Sequence, residues 1–184
     1  ALIDSAAELV GVMGPNQLTI RDIAEHACVN HAQIHHYFGG KQGLLEATYK
    51  QLAFDHLEEL KRRNIDPINL PDEPMSDITD NYFKALIRAV LDGHMDLVRI
   101  QVNSNLSLSK KSLSLLADSK GIEKPTSEMK AAVALGMVVE FGLAAMKPYI
   151  QEVLKISDQE MGDFYKIFYK ARSLGINEIT KDIK

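Results

Sequence analysis

The sequence predicts an all-α protein: an N-terminal three-helix domain containing a helix-turn-helix, followed by a larger helical domain. Three observations predict it. Apolar residues recur at spacings of three and four along nearly the whole chain, and helix-start signals pair Thr19 with Asp22 and Ser157 with Glu160. No convincing run of strand alternation appears: Ser104 to Ser114 alternates serine with leucine but stands alone among helical patterns. At 184 residues and 46% hydrophobic content the chain can bury a full core. We divide it at residues 1–45 and 46–184.

The first helix carries Leu2, Ile3, Ala6, Leu9 and Val10. A second begins at Thr19, where Asp22 three residues on completes a capping box: hydroxyl and carboxylate each satisfy a free backbone donor. Asn30 and Gln33 repeat the signal more weakly for a third helix. Ile20, Ile23, Ala24 and Ala27, Val29 in the turn, and Ile34 and Phe38 form one small apolar core. Ala24 is small where two steeply crossing helices approach closely. At about 100° per residue, with Ile34 facing inward, Ala32 and His36 point outward. His31 and His35 take one flank and Gln33 the other. A short alanine lets such a helix sink into a major groove, while histidine and glutamine can exchange hydrogen bonds with base edges.

This pattern resembles the DNA-binding domain of the TetR family of bacterial transcriptional regulators. The likeness rests on the first helix, the Thr-Ile-Arg-Asp-Ile-Ala run at 19–24, Ala27 to Asn30, and Ile34, Tyr37, Phe38, Lys41, Leu44 and Leu45. It implies that Thr19, Arg21, His35, Tyr37 and Lys41 hold phosphates, while His31, Ala32, Gln33 and His36 face bases. It further implies a double-stranded palindromic operator, a homodimer, and a repressor released by a small-molecule inducer. Cys28 stands where the family usually has glycine, and His35 where it usually has tyrosine. Residues 1–50 hold Arg21, Lys41 and Lys50 against Asp4, Glu8, Asp22, Glu25 and Glu46, a net charge of −2 with histidines neutral. A basic segment preceding Ala1 would supply the cations that duplex binding normally uses.

Beyond this domain, Lys41 to Asn64 reads as one long helix connecting the two domains, striped by Leu45, Tyr49, Leu52, Ala53, Leu57 and Leu60. Three prolines between Ile65 and Pro74 demand a loop. Helices are expected near Ser76 to Leu91, Met95 to Leu106 and Lys110 to Ser119. A further helix from Thr126 to Leu154 follows Pro125 and should bend near Pro148. Its run from Ala131 to Met146 is apolar on every side, short of the roughly 20 residues a bilayer requires, and interrupted by Glu140, so burial between helices is expected and a membrane role is not. Ser157 opens a last helix. Gly136, Gly142, Ala145, Met161, Phe164, Phe168 and Ala171 are candidates for pairing two copies in a four-helix bundle. In the resembled family these same two helices form the dimer. Tyr82, Phe83, Leu86, His94, Met95, Arg99, Asn103, Met137, Glu140, Phe141 and Met146 are candidates for an inducer pocket; simple core packing is the competing reading.

A net charge of −4 and pI of about 5.9 confine any nucleic-acid contact to one patch. A lone cysteine excludes an internal disulfide and suits the cytoplasm. No secretory leader is expected at Ala1 to Met13, which has acidic residues and no basic start. Four of six histidines fall within eleven residues, so a helical metal-binding protein or enzyme using His31, His35 and His36 is the rival reading. The favoured reading has no catalytic residue, metal or cofactor.

Overall fold

The computed structural model describes residues 1–75 and 80–183. Among them the helices are α1 (Leu2–Gln17), α2 (Ile20–His26), α3 (Ala32–Phe38), α4 (Lys41–Arg62), α5 (Asp80–Leu91), α6 (Met95–Asn103), α7 (Leu108–Ser119), α8 (Ser127–Leu154) and α9 (Met161–Thr180), with no strand. Ser104 to Ser114, alternating in sequence, lies mainly in helix α7 and the turn before it. The expected helix start at Ser76 falls outside the described residues.

The chain forms two compact units, Ala1–Glu59 with Thr79–Ser107, and Leu60–Ile78 with Leu108–Lys184. This division follows packing, because α5 lies along α1 and joins the first unit. The boundary expected at residue 45, between the helix-turn-helix and the larger helical domain, does not coincide with these units.

In the first unit, Ala6 and Val10 of α1, Ile23 and Ala24 of α2, Ile34 of α3 and Leu44 and Leu45 of α4 are buried together with Tyr82, Phe83, Ala85, Leu86 and Leu97. The Tyr49 hydroxyl donates to the Ala85 carbonyl (2.9 Å), and the Tyr82 hydroxyl to Gln101 Oε1 (2.6 Å), so α4, α5 and α6 are tied by polar as well as apolar contacts. α1 is kinked at Gly14 (φ 78°, ψ 161°), where a Cβ would lie 2.7 Å from Asp92 Oδ2. Glycine is therefore required there twice over, by backbone angle and by space. That carboxylate accepts the Asn16 amide (3.1 Å), and Asn16 Oδ1 accepts from His94 Nε2 (2.8 Å).

The turn between α2 and α3 keeps the left-handed conformation that glycine favours, although Cys28 occupies it at φ 53°. The Thr19 box forms as expected: the Asp22 amide donates to Oγ1 (3.2 Å), and the Thr19 amide donates back to Asp22 Oδ2 (2.8 Å). The second box forms only by half. Asn30 Oδ1 accepts from the Ala32 amide (2.9 Å), and Gln33 does not reciprocate, because His31 already adopts helical angles and takes the capping position.

In the second unit α8 packs on both α7 and α9. Thr126 caps α8, which continues through Pro148 to Leu154. Two expectations are corrected. The apolar run of α8 is not buried on all sides: Val138 is 68% exposed and Met137, Met146 and Tyr149 are also open, because α7 and α9 cover only part of its circumference. The Ser157–Glu160 pair does form (2.9 Å from the Ser157 amide to Glu160 Oε2), yet it closes a turn, and α9 starts at Met161.

Two outcomes follow from burial and backbone angle. His56 is buried, its ring stacked 4.2 Å from Tyr82, and burial pushes its pKa down to about 4. The unfolded chain takes up this proton near pH 6.5 and the folded chain resists until about 4, so stability falls as pH drops through that window. Urea titrations should show the protein losing about 3 kcal/mol more than His56→Phe between those two pH values; equal losses would place the acid sensitivity elsewhere. Cys28→Gly should raise the unfolding free energy by about 1 kcal/mol, since glycine adopts the left-handed angle without penalty. An unchanged melting temperature would show that the turn stores no such strain.

Candidate nucleic-acid interface

α3 is seven residues long and too short to persist alone, so its orientation comes from its neighbours. Ile34, fully buried, anchors it. Gly39 (φ 72°) ends it, and Gly40 (φ 127°) turns the chain into α4. Gly43 sits so close to this corner that a Cβ there would lie 2.0 Å from the Phe38 carbonyl oxygen, so the end of α3 rests directly on the first turn of α4.

Around Ile34 the remaining positions are open. His31, Ala32, Gln33, His35, His36 and Tyr37 are all exposed, Tyr37 at 68%, which is the face expected from helical angles. Among the described residues the side chains of His31, Gln33, His35 and His36 have no hydrogen bond or ion pair within the chain, so their polar atoms remain available. His36 and Tyr37 meet edge to face at 4.8 Å. Arg21 is exposed and Lys41 half-buried. Hydrogen bonds from the Thr19 hydroxyl and amide hold the Asp22 carboxyl below its usual range, and the nearby Lys41 charge adds to this. Thr19 departs from its expected role. Its hydroxyl proton is committed to Asp22 Oδ2 (2.6 Å), which leaves that side chain no free donor for a phosphate.

The inducer candidates do not form one cluster within either unit. Tyr82, Phe83, Leu86, His94, Met95, Arg99 and Asn103 belong to the first, and Met137, Glu140, Phe141 and Met146 to the second. Tyr82 and Phe83 are buried and stack with His56 and each other, which is the core role. His94 is engaged with Asn16, while Met95, Arg99 and Asn103 are exposed. Glu140 is buried, its oxygens taken by the Met75 amide (3.0 Å), the Tyr169 hydroxyl (3.1 Å) and Arg172 Nη1 (3.3 Å). Burial pushes its carboxyl up, and those donors work against the shift.

Of the pairing candidates, Gly136 and Met161 are buried within the unit, and a Cβ at 136 would face Ile176 of α9 at 4.0 Å. The small residue there serves packing inside one chain. Gly142, Phe164 and Phe168 are half-buried, and Ala145 and Ala171 are exposed. Sequence reasoning missed the larger open side chains beside them, Val138 and Tyr149 on α8 and Ile167 (72%) and Leu174 (61%) on α9. Their spacing on α9 with Ala171, four and three residues apart, was the available signal. It also missed Arg172, whose Nη2 donates to the Leu70 and Pro71 carbonyls (3.0 and 2.8 Å) and so pins the proline-rich loop to α9. For the rival reading, no three His, Cys, Asp or Glu side chains converge among the described residues, so the histidine cluster has no third metal donor.

Residues 2–48 match the family model described as bacterial regulatory proteins, tetR family. The transcriptional regulator BetI 1 of Chromohalobacter salexigens is 35% identical over 105 residues, 57% of this chain and 45% of that protein. BetI of Agrobacterium fabrum is 46% identical over 55 residues, 30% and 27% of the two chains. The chain thus spans less than half the length of these curated relatives. A tetR-family transcriptional regulator from Streptomyces coelicolor shares the fold with TM-score 0.60 at 17% identity, covering 99% of this chain and 82% of that one. A second S. coelicolor structure reaches 0.64 at 16%, covering 97% and 95%. The helix-turn-helix and these matches lead to one conclusion: residues 2–48 are similar to the DNA-binding domain of the tetR family of bacterial regulatory proteins, and the chain shares the fold of regulators of that kind.

Proposed function

We propose that this protein is a transcriptional regulator, reading as a repressor, that binds a palindromic duplex operator as a homodimer through residues 1–45 and is released when a small molecule binds the helices of residues 46–184. The observation that carries it is the ring of exposed, internally unbonded side chains around buried Ile34. The reading needs no catalytic step, and a cytoplasmic location goes with it.

Dimerisation supplies the mechanics. Two copies of α3 related by a two-fold axis enter successive major grooves only when their separation is near 34 to 36 Å, one turn of DNA. A ligand that binds a different separation better lowers DNA affinity by that difference in binding energy. The apolar stripes on α8 (Val138, Ala145, Tyr149) and α9 (Ile167, Ala171, Leu174) support a second copy as the partner, because large exposed apolar side chains in rows are costly to leave in water.

Selection from a random duplex library tests the reading face. His36→Ala should change which sequences are enriched, whereas Lys41→Ala should weaken all of them alike and lower the salt slope by about 1.8, one contact from each copy. Loss of binding without any change in sequence preference for His36→Ala would contradict base readout by α3. Val138→Glu and Ile167→Glu together should yield monomers in sedimentation and weaken duplex binding by roughly a hundredfold; dimers that persist would move the interface elsewhere.

A further inference from the structure

The DNA-reading segment is short of fixed positive charge. Between residues 19 and 41, Arg21 and Lys41 are offset by Asp22 and Glu25, leaving a net charge of zero with imidazoles neutral. The same segment holds four of the chain's six histidines. His26 turns toward α1, 3.5 Å from Glu8 Oε2. The other three, His31, His35 and His36, lie exposed on α3. Resting on the DNA-reading function above, we propose that these three imidazoles make duplex affinity proton-dependent, each protonation adding one positive charge to an exposed face whose segment otherwise has no net charge.

The surroundings permit this. The charged and titratable groups on the segments flanking α3 in the chain are Arg21, Asp22, Glu25 and His26 of α2, Cys28 in the turn, Tyr37 beside His36, and Lys41 and Glu46 in the first turns of α4. Asp22 is occupied by Thr19. Among the described residues no carboxylate lies within ion-pairing distance of His31, His35 or His36, so a proton there is not neutralised from within the chain. The His35 ring sits 3.8 Å from where a Gly40 Cβ would be, at the start of α4 and next to Lys41. A charge at His35 therefore adds to that of Lys41, the next residue after Gly40. Each phosphate neutralised releases condensed counterions and steepens the dependence of binding on salt by about 0.9 in log–log slope. Imidazole is the side chain that ordinarily changes charge between pH 8 and pH 6. Elsewhere in the chain, burial pushes the pKa of His56 down to about 4, and His94 is bonded to Asn16.

The test measures affinity for a random-sequence duplex of about 30 base pairs, roughly three helical turns, at pH 8 and pH 6 over a salt series. The wild-type protein should bind roughly tenfold tighter at pH 6 near 0.1 M salt, with a salt slope steeper by about one to three units. The variant His31→Gln/His35→Gln/His36→Gln should lose both differences. The variant His35→Arg/His36→Arg should show a steep slope already at pH 8 and little pH dependence. Circular dichroism melts at both pH values exclude a change in folding as the source. Equal wild-type slopes at the two pH values, or a triple glutamine variant that keeps the pH dependence, would overturn the proposal while leaving DNA reading intact. No duplex binding at either pH would overturn both.

Discussion

Burial of Ile34 is the constraint on which the exposed face of α3 depends. A seven-residue helix has no stability of its own, so everything α3 presents to the outside is set by what it presents to the inside. With Ile34 buried and the corner at Gly39, Gly40 and Gly43 drawn tight, the helix cannot rotate without exposing an apolar side chain or driving backbone into backbone. Removing the Ile34 side chain down to Ala would forfeit about 2 to 5 kcal/mol, a large share of a small domain's stability. The exposed histidines and Gln33 are positioned by that anchoring; among the described residues their side chains have no hydrogen bond or ion pair within the chain.

The second unit relies on a different kind of contact. Arg172 and Glu140 form an ion pair shielded from solvent, and each also bonds to the loop before α5: the Met75 amide on one side, the Leu70 and Pro71 carbonyls on the other. Removing two charges from water is expensive, so such a pair adds little to net stability, whereas losing one partner leaves an uncompensated buried charge. Here it locks a proline-rich segment that cannot make helical bonds of its own against α8 and α9. With one side of these helices so occupied, Val138, Tyr149, Ile167 and Leu174 remain open on others.

The helices were legible because their signals are local. Capping at Thr19, proline punctuation from 67 to 74 and the stripe of α4 each depend on residues a few positions apart, and the reading face followed from one buried residue and a rotation angle. What escaped was set by contacts distant in sequence. Asp92 reaches the kink at Gly14, and Arg172 reaches back to Leu70. Glu140 looked like a polar group in a pocket because its three donors come from elsewhere in the chain. Thr19 shows the converse: its capping role was plain, and that same role consumes the proton that the resemblance assigned to phosphate. Gly14-Pro15 is the one local signal that could have marked the kink in α1.

The central claim is geometric, that α3 lies in a major groove and a second copy lies one turn away. Hydroxyl-radical footprinting on a duplex enriched from a random library tests it most directly. Two protected patches on one face of the duplex, symmetric about a centre and spaced about 34 to 36 Å apart, are the result the proposed function predicts. A single unpaired patch, or uniform cleavage along the duplex, would contradict it.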